Sequence, residues 1–291
     1  MSGQPIILGA NGFVGRALVQ LLKTNGFSPQ LLDLNPEAPT DLQVIKFDQT
    51  LESITDKAQP CDVMILLSGV SSDWAVLSDR KQAYKANVTC LDKILNGFSS
   101  LGGKHVIFAS SEWVYSRNQK SELVADPRQN TSAYGRQKLI GEGIVQDFCE
   151  TFGIKATILR FGIIWGNRLK GSAVEGLAQS CIHGDKKITV GNKQTARRFV
   201  HVDDICNAIF KSMTFAPSGT FDLQGADIIC LEDIIRKTCQ IIGRSLPLIE
   251  ETAVAPDLRV LPISQVVGPP FNWHVGSFDD YLQQYVLEYL N

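Results

Sequence analysis

The 291-residue chain has no apolar run approaching the ~20 residues that cross a bilayer. Its first residues, MSGQPIILG, lack both a basic segment and a long hydrophobic stretch, which reads against a secretory leader. No C-x-x-C and no H-E-x-x-H occurs, and the four histidines are scattered, so no metal site is expected. The seven cysteines are equally dispersed and odd in number, which reads as free thiols in a reducing cytoplasm. Excess charge is lacking too. A net charge of −2 gives no bulk attraction to nucleic acid or to an anionic membrane.

What is present is a repeating texture. Short apolar runs at 5–9, 28–34, 42–47, 62–68, 105–110 and 155–161 lack period-2 alternation, as parallel strands covered on both faces do. Helical patterns at 12–26, 78–98 and 132–153 lie between them. This alternation predicts an α/β fold, a doubly wound parallel sheet of Rossmann type. After about Trp165 glycine-rich loops appear, followed by a proline-rich tail from Pro247. The expected division is a Rossmann domain over 1–165, with 195–225 packing back onto it. A smaller C-terminal α/β lobe, 166–194 and 226–291, is then expected to bind substrate.

Gly9, Gly12 and Gly15 recur every third residue between the first strand and the first helix. A turn there needs positive φ, a pyrophosphate needs backbone without Cβ, and the helix start offers free N–H groups. Asp33 follows Gly9 by 24 residues at the end of the next strand, where a carboxylate can accept ribose hydroxyls and repel a 2′-phosphate. The expected cofactor is therefore NAD, with NADP less favoured.

Tyr134 and Lys138, in AYGRQKLIGE, stand at i and i+4 and share a helix face. A lysine ammonium beside a phenol, with a cationic nicotinamide, would draw the tyrosine pKa from ~10 toward neutrality for proton transfer.

Together G-x-x-G-x-x-G, Tyr-x-x-x-Lys and SSEWVY (110–115) resemble the extended short-chain dehydrogenase/reductase family, with its nucleotide-sugar epimerases, dehydratases and 4-ketoreductases. The resemblance implies a cofactor cradle of Gly9, Asn11, Gly12, Phe13, Val14, Gly15, Asp33, Asp48, Ser68, Gly69, Asn87, Tyr134 and Lys138. It implies Ser111, Tyr134 and Lys138 as catalytic residues, with Ser110 the alternative serine. Ser71, Ser72, Glu112 and Arg197 then fall at the substrate, Arg197 against a diphosphate. Trp113 stands where 4,6-dehydratases carry an acid, which disfavours dehydration. Gly162 and Trp165 replace family residues that usually include a substrate-contacting Asn. Trp74, Trp113 and Trp165 are candidates for an aromatic wall, with core packing the alternative. The function so implied is NAD-dependent 4-keto reduction or 4-epimerisation of a nucleotide-activated sugar in the cytoplasm. Members commonly dimerise through two helices including the Tyr134–Lys138 one, so a homodimer is expected. The alternatives are a reductase of a non-sugar carbonyl and a non-catalytic dinucleotide-binding protein of the same fold.

Overall fold

The computed structural model describes residues 4–37, 43–50, 52–115, 132–166, 172–258, 268 and 272–291. Its strands are β1 (Ile6–Leu8), β2 (Gln30–Asp33), β3 (Ile45–Lys46), β4 (Val63–Leu66), β5 (His105–Ser111), β6 (Lys155–Phe161), β7 (Ile164–Trp165), β8 (Lys187–Val190), β9 (Ala196–Arg197), β10 (Val200–His201), β11 (Gly219–Leu223), β12 (Ile229–Cys230) and β13 (Leu248–Glu251). The helices are α1 (Phe13–Thr24), α2 (Asp73–Ser78), α3 (Arg80–Tyr84), α4 (Cys90–Ser100), α5 (Ala133–Phe152), α6 (Ala173–His183), α7 (Val202–Phe215), α8 (Leu231–Ile242) and α9 (Phe278–Leu290).

Seven strands form one sheet in the order β11-β6-β5-β4-β1-β2-β3, every pairing parallel. The six apolar runs of the sequence supply all but one. The seventh, β11, is the GTFDL segment, whose residues 219–223 pair with 157–161 of β6. Alternate residues serve opposite faces. Ile7, Ile65, Ile107 and Leu159 pack with Leu18 of α1 and Ile205 of α7 on one side. Ile6, Leu8, Met64, Leu66, Val106 and Phe108 pack with Ile94 and Phe98 of α4 and Val145 of α5 on the other. Each large apolar side chain buried this way contributes about 1.5–3 kcal/mol, which is why strands as short as β1 hold.

The long helix expected over 78–98 is divided. α3 and α4 are joined by a π-helical turn over Lys85–Thr89. This turn carries Asn87, buried, whose Oδ1 accepts the Val70 N–H at 2.8 Å and whose amide donates to the Val70 carbonyl at 3.0 Å. A further amide bond reaches Gln137 Oε1 at 2.7 Å, on α5. The turn thus aims one side chain at the loop after β4, a use that π-turns commonly serve.

The C-terminal elements build a second core. Trp165, Val174, Phe199, Ile234, Phe278 and Leu282 pack together between α6, α8 and α9. Three two-stranded pairings accompany it: β7 with β10, β9 with β12, and β8 with β13.

Candidate active site

The strands β1, β2, β4, β5 and β6 present their carboxyl ends along one edge, where ligands of doubly wound sheets bind. Gly9 leaves β1 at φ 89°, and its N–H donates to the Leu32 carbonyl at 2.9 Å. A Cβ on Gly9 would lie 2.7 Å from the Ser68 nitrogen, and one on Gly15 would lie 2.2 Å from the Gly9 carbonyl oxygen. These two glycines let the turn fold onto itself. Gly12 is different. It is exposed, it meets only the Gly9 carbonyl at 3.2 Å, and it caps α1 with no side chain and no acid in the first turn. The N–H groups of that turn are left to an anion.

Two adjoining cavities follow this edge. One, about 440 Å³, is lined by Gly9, Asn11, Gly12, Arg16, Asp33, Asp48, Ser68 and Gly69, with Leu34, Asn35, Gln49 and Thr50 beside them. The other, about 400 Å³, is lined by Phe13, Val14, Gly15, Ser71, Ser110, Ser111, Trp113, Tyr134 and Lys138. Both include Gly9, Gly12 and the 67–70 segment, so they form one trough bent over the glycine turn. A dinucleotide fits this shape. Its pyrophosphate would meet Gly12 and the start of α1, its adenosine would lie toward Asp33 and Asp48, and its nicotinamide toward Tyr134.

Each wall is held from behind. Asp33 Oδ2 accepts the Asn11 N–H at 2.9 Å, which fixes the glycine turn to the end of β2. Asp48 Oδ1 accepts the Thr50 N–H at 2.9 Å and its hydroxyl at 2.7 Å. Ser68 donates to Gln49 Oε1 at 2.6 Å, and Gln49 donates in turn to the Ala86 carbonyl at 2.9 Å. Asn87 does not line the trough; it shapes it through Val70 and Gly69, where an added Cβ would lie 2.6 Å from Asn87 Oδ1. Arg16 and Gln49 are wall residues that sequence reasoning passed over. The signal for Arg16 was its place four residues after Gly12 on an amphipathic helix.

At the far end, Tyr134 is buried, and the Ser111 hydroxyl, which accepts the Trp113 N–H at 3.3 Å, lines the same cavity. The two serines part roles. Ser111 faces Tyr134, whereas the Ser110 hydroxyl donates to Glu142, which is also held by Arg160 at 2.9 and 2.7 Å. Lys138 Nζ donates to the Ala109 carbonyl at 2.6 Å and lies 5.8 Å from the Tyr134 ring centre. α5 begins here because Ser132 caps it, accepting the Gly135 N–H at 2.9 Å. Asp73 of α2 adds to this cap, accepting the Ser132 hydroxyl and the Tyr134 N–H, each at 3.0 Å.

Burial raises Tyr134 to about 12, opposed by the neighbouring Ser111, and lowers Lys138 to about 8, opposed by Glu142. The phenol is thus held neutral. The Lys138 ammonium donates to the Ala109 carbonyl and not to the phenol. Lowering the phenol requires a further positive charge brought into the trough.

The residues expected at the substrate separate. Ser71 lines the trough. The Ser72 hydroxyl caps α2, accepting the Ala75 N–H at 3.1 Å. Glu112 and Arg197 meet each other in the interior, Arg197 Nε lying 3.2 Å from Glu112 Oε1. Arg197 Nη2 pairs with the Asp257 carboxylate, and Nη1 donates to the Ala196 and Asp257 carbonyls at 2.8 and 2.7 Å. Its guanidinium is engaged within the protein and does not line the trough. The aromatic wall reduces to Trp113, whose ring meets Tyr134 edge-on at 6.4 Å. Trp165 is in the second core, 1% exposed, and Trp74 stands on the surface, 79% exposed. Among the described residues all seven cysteines are free thiols and no group of three or more ligating side chains could hold a metal. No described helix is long and apolar enough to cross a membrane.

A parallel sheet with a glycine turn over its carboxyl edge defines a dinucleotide-binding protein of the Rossmann type. A family model described as the NAD dependent epimerase/dehydratase family matches residues 6–222, and the chain belongs to that family. It is accordingly an NAD-dependent enzyme, and the open Gly12 turn and Asp33 suit that cofactor. The chain is 25% identical over 215 residues to N-acetyl-alpha-D-glucosaminyl-diphospho-ditrans,octacis-undecaprenol 4-epimerase of Escherichia coli O157:H7. That alignment covers 72% of this chain and 62% of the relative, so the match spans under two thirds of its length. It is 23% identical over 273 residues to UDP-glucose 4-epimerase of Lactobacillus helveticus, covering 83% and 82% of the two chains. The solved UDP-glucose 4-epimerase of Thermus thermophilus, in complex with NAD, superposes with a TM-score of 0.81 at 17% identity over 99% of both chains. At that identity the likeness is one of fold.

Proposed function

We propose that the chain catalyses NAD-dependent oxidoreduction at C4 of a nucleotide-activated sugar, and that the outcome is epimerisation rather than net 4-keto reduction. One observation carries this reading. The Ser111–Tyr134 pair stands at the end of a continuous trough whose other end is bounded by Asp33 and Asp48. The names of the two 4-epimerase relatives favour epimerisation over reduction. Bound NAD supplies the acceptor, and later the donor, of a hydride at the sugar carbon. Ser111 orients the reacting oxygen. Tyr134 takes the hydroxyl proton as that carbon is oxidised and returns it as the carbonyl is reduced. Lys138 holds positive charge below pH ~8 beside the cofactor ribose and the phenol. Trp113 and Ser71 flank the sugar. Epimerisation further requires the keto sugar to turn over within the trough without leaving it.

The test is to incubate the protein with UDP-glucose and UDP-N-acetylglucosamine in catalytic NAD and follow the sugar protons by NMR. A C4 epimer forming without net NADH is the expected result. Consumption of stoichiometric NADH by a 4-keto sugar would identify a reductase instead. Tyr134→Phe should abolish turnover in either case, with NAD binding retained.

A second reading is favoured by one specific observation. Arg197, which the resemblance sets against a diphosphate, is ion-paired with Glu112 and Asp257. That arrangement suits a carbonyl substrate carrying no diphosphate at this position. Insensitivity of turnover to Arg197→Lys across a substrate panel would support it.

A further inference from the structure

Arg16 lies four residues after Gly12, and its main-chain N–H donates to the Gly12 carbonyl at 3.0 Å. Positions i and i+4 share a face, and helical side chains lean back toward the N-terminus. Arg16 therefore runs back beside Gly12, which has no side chain to block it. It lines the adenosine half of the trough with Asp33, Leu34 and Asn35. Its Nε is buried with no hydrogen-bond partner among the described residues, and no described carboxylate pairs with the guanidinium. Arg16 is half-buried as a whole, and its unpartnered Nε–H is a donor that an oxyanion of a ligand would satisfy.

Asp33 is the group that should turn a second phosphate away. Both of its oxygens are already occupied from the main chain. Oδ2 accepts the Asn11 N–H at 2.9 Å and Oδ1 the Asn35 N–H at 3.0 Å. Those donors hold the carboxylate against the turn. Arg16 brings a positive charge to the wall of the same cavity.

We propose that Arg16 seats a 2′-phosphate on the adenosine ribose, so that this cleft takes NADP as well as NAD. The assignment concerns the cofactor end alone and does not depend on the sugar chemistry proposed above.

The experiment is calorimetric titration of the full chain with NAD, NADP, 5′-AMP and 2′,5′-ADP. Wild-type protein should bind NADP within tenfold of NAD, and 2′,5′-ADP at least as tightly as 5′-AMP. Arg16→Gln should weaken NADP by about tenfold while leaving NAD within about threefold, and Arg16→Lys should recover part of the loss. Retained NAD binding shows that the variant is folded, and the fragment comparison needs no variant. The proposal is overturned if wild-type protein binds NADP more than tenfold more weakly than NAD. It is also overturned if Arg16→Gln weakens both dinucleotides alike. Absence of binding by either dinucleotide would overturn it together with the cofactor assignment, whereas NAD binding with NADP refused overturns it alone.

Discussion

The carboxylate of Asp73 accepts the main-chain N–H of Tyr134 at 3.0 Å. The start of α2 thereby sets the first turn of α5 and with it the height of the phenol. Asp73→Ala removes this partner and the partner of Ser132. We expect a stability loss of about 1 kcal/mol, read as a lowered Tm, because that is the usual cost of a lost helix cap. A fall in kcat exceeding the change in KM is expected to accompany it, since Tyr134 is displaced while the cofactor walls stay in place.

The adjacent serines should separate under mutation. Ser111→Ala removes the hydroxyl that lines the cavity with Tyr134 and is expected to lower kcat by roughly 10²-fold. Ser110→Ala instead leaves Glu142 without one of its donors, so its cost should be read in Tm, with kcat within about threefold of wild type. Steady-state kinetics and thermal unfolding on both variants decide this, and equal kcat losses would contradict it.

Two glycines of the same turn are predicted to fail for different reasons. Gly15→Ala puts a Cβ 2.2 Å from the Gly9 carbonyl oxygen and should destabilise the protein by about 1–3 kcal/mol. Gly12→Ala meets only one protein atom, at 3.2 Å, and its φ of −64° suits alanine. It should fold with nearly unchanged Tm yet bind NAD at least tenfold more weakly, because the methyl group occupies the pyrophosphate's place. Calorimetry with differential scanning fluorimetry separates the two effects.

Buried titrating groups make stability depend on pH in a defined direction. Lys138 falls from its usual 10.5 to about 8. Between those values the unfolded chain binds more protons than the native one, so this residue's contribution rises as pH climbs from 8 to 10.5. The stability of Lys138→Met relative to wild type should therefore decline over that interval. His105, lowered by burial from 6.5 to about 4, is kept neutral beside Thr157. Its contribution is complete above pH 6.5 and is lost as pH falls toward 4. His105→Gln should flatten that acid limb in urea titrations.

Much of this architecture was legible in the sequence because it is local. The six strand-forming runs, the glycine spacing, Asp33 at a strand end and the i, i+4 pair of Tyr134 and Lys138 each depend on residues within one short window. What stayed hidden depends on distant partners. Nothing near Trp165 says that Phe278 and Tyr281 will enclose it. Nothing near Arg197 says that Asp257, 60 residues on, will take its guanidinium. The division of Ser110 from Ser111, both on β5, is set by Glu142 and Tyr134 of α5. The Tyr-x-x-x-Lys spacing shows that Tyr134 and Lys138 share a helix face, but not the depth of burial that raises the phenol.

The union of Glu112, Arg197 and Asp257 buries two acids on one base. Such a knot tightens only when all three strings are present. The residue after Ser111 and the proline-rich tail are therefore tied through a single side chain. Trimming the tail before Asp257 would loosen the shoulder of the reaction centre, and the two regions should melt together, in one transition.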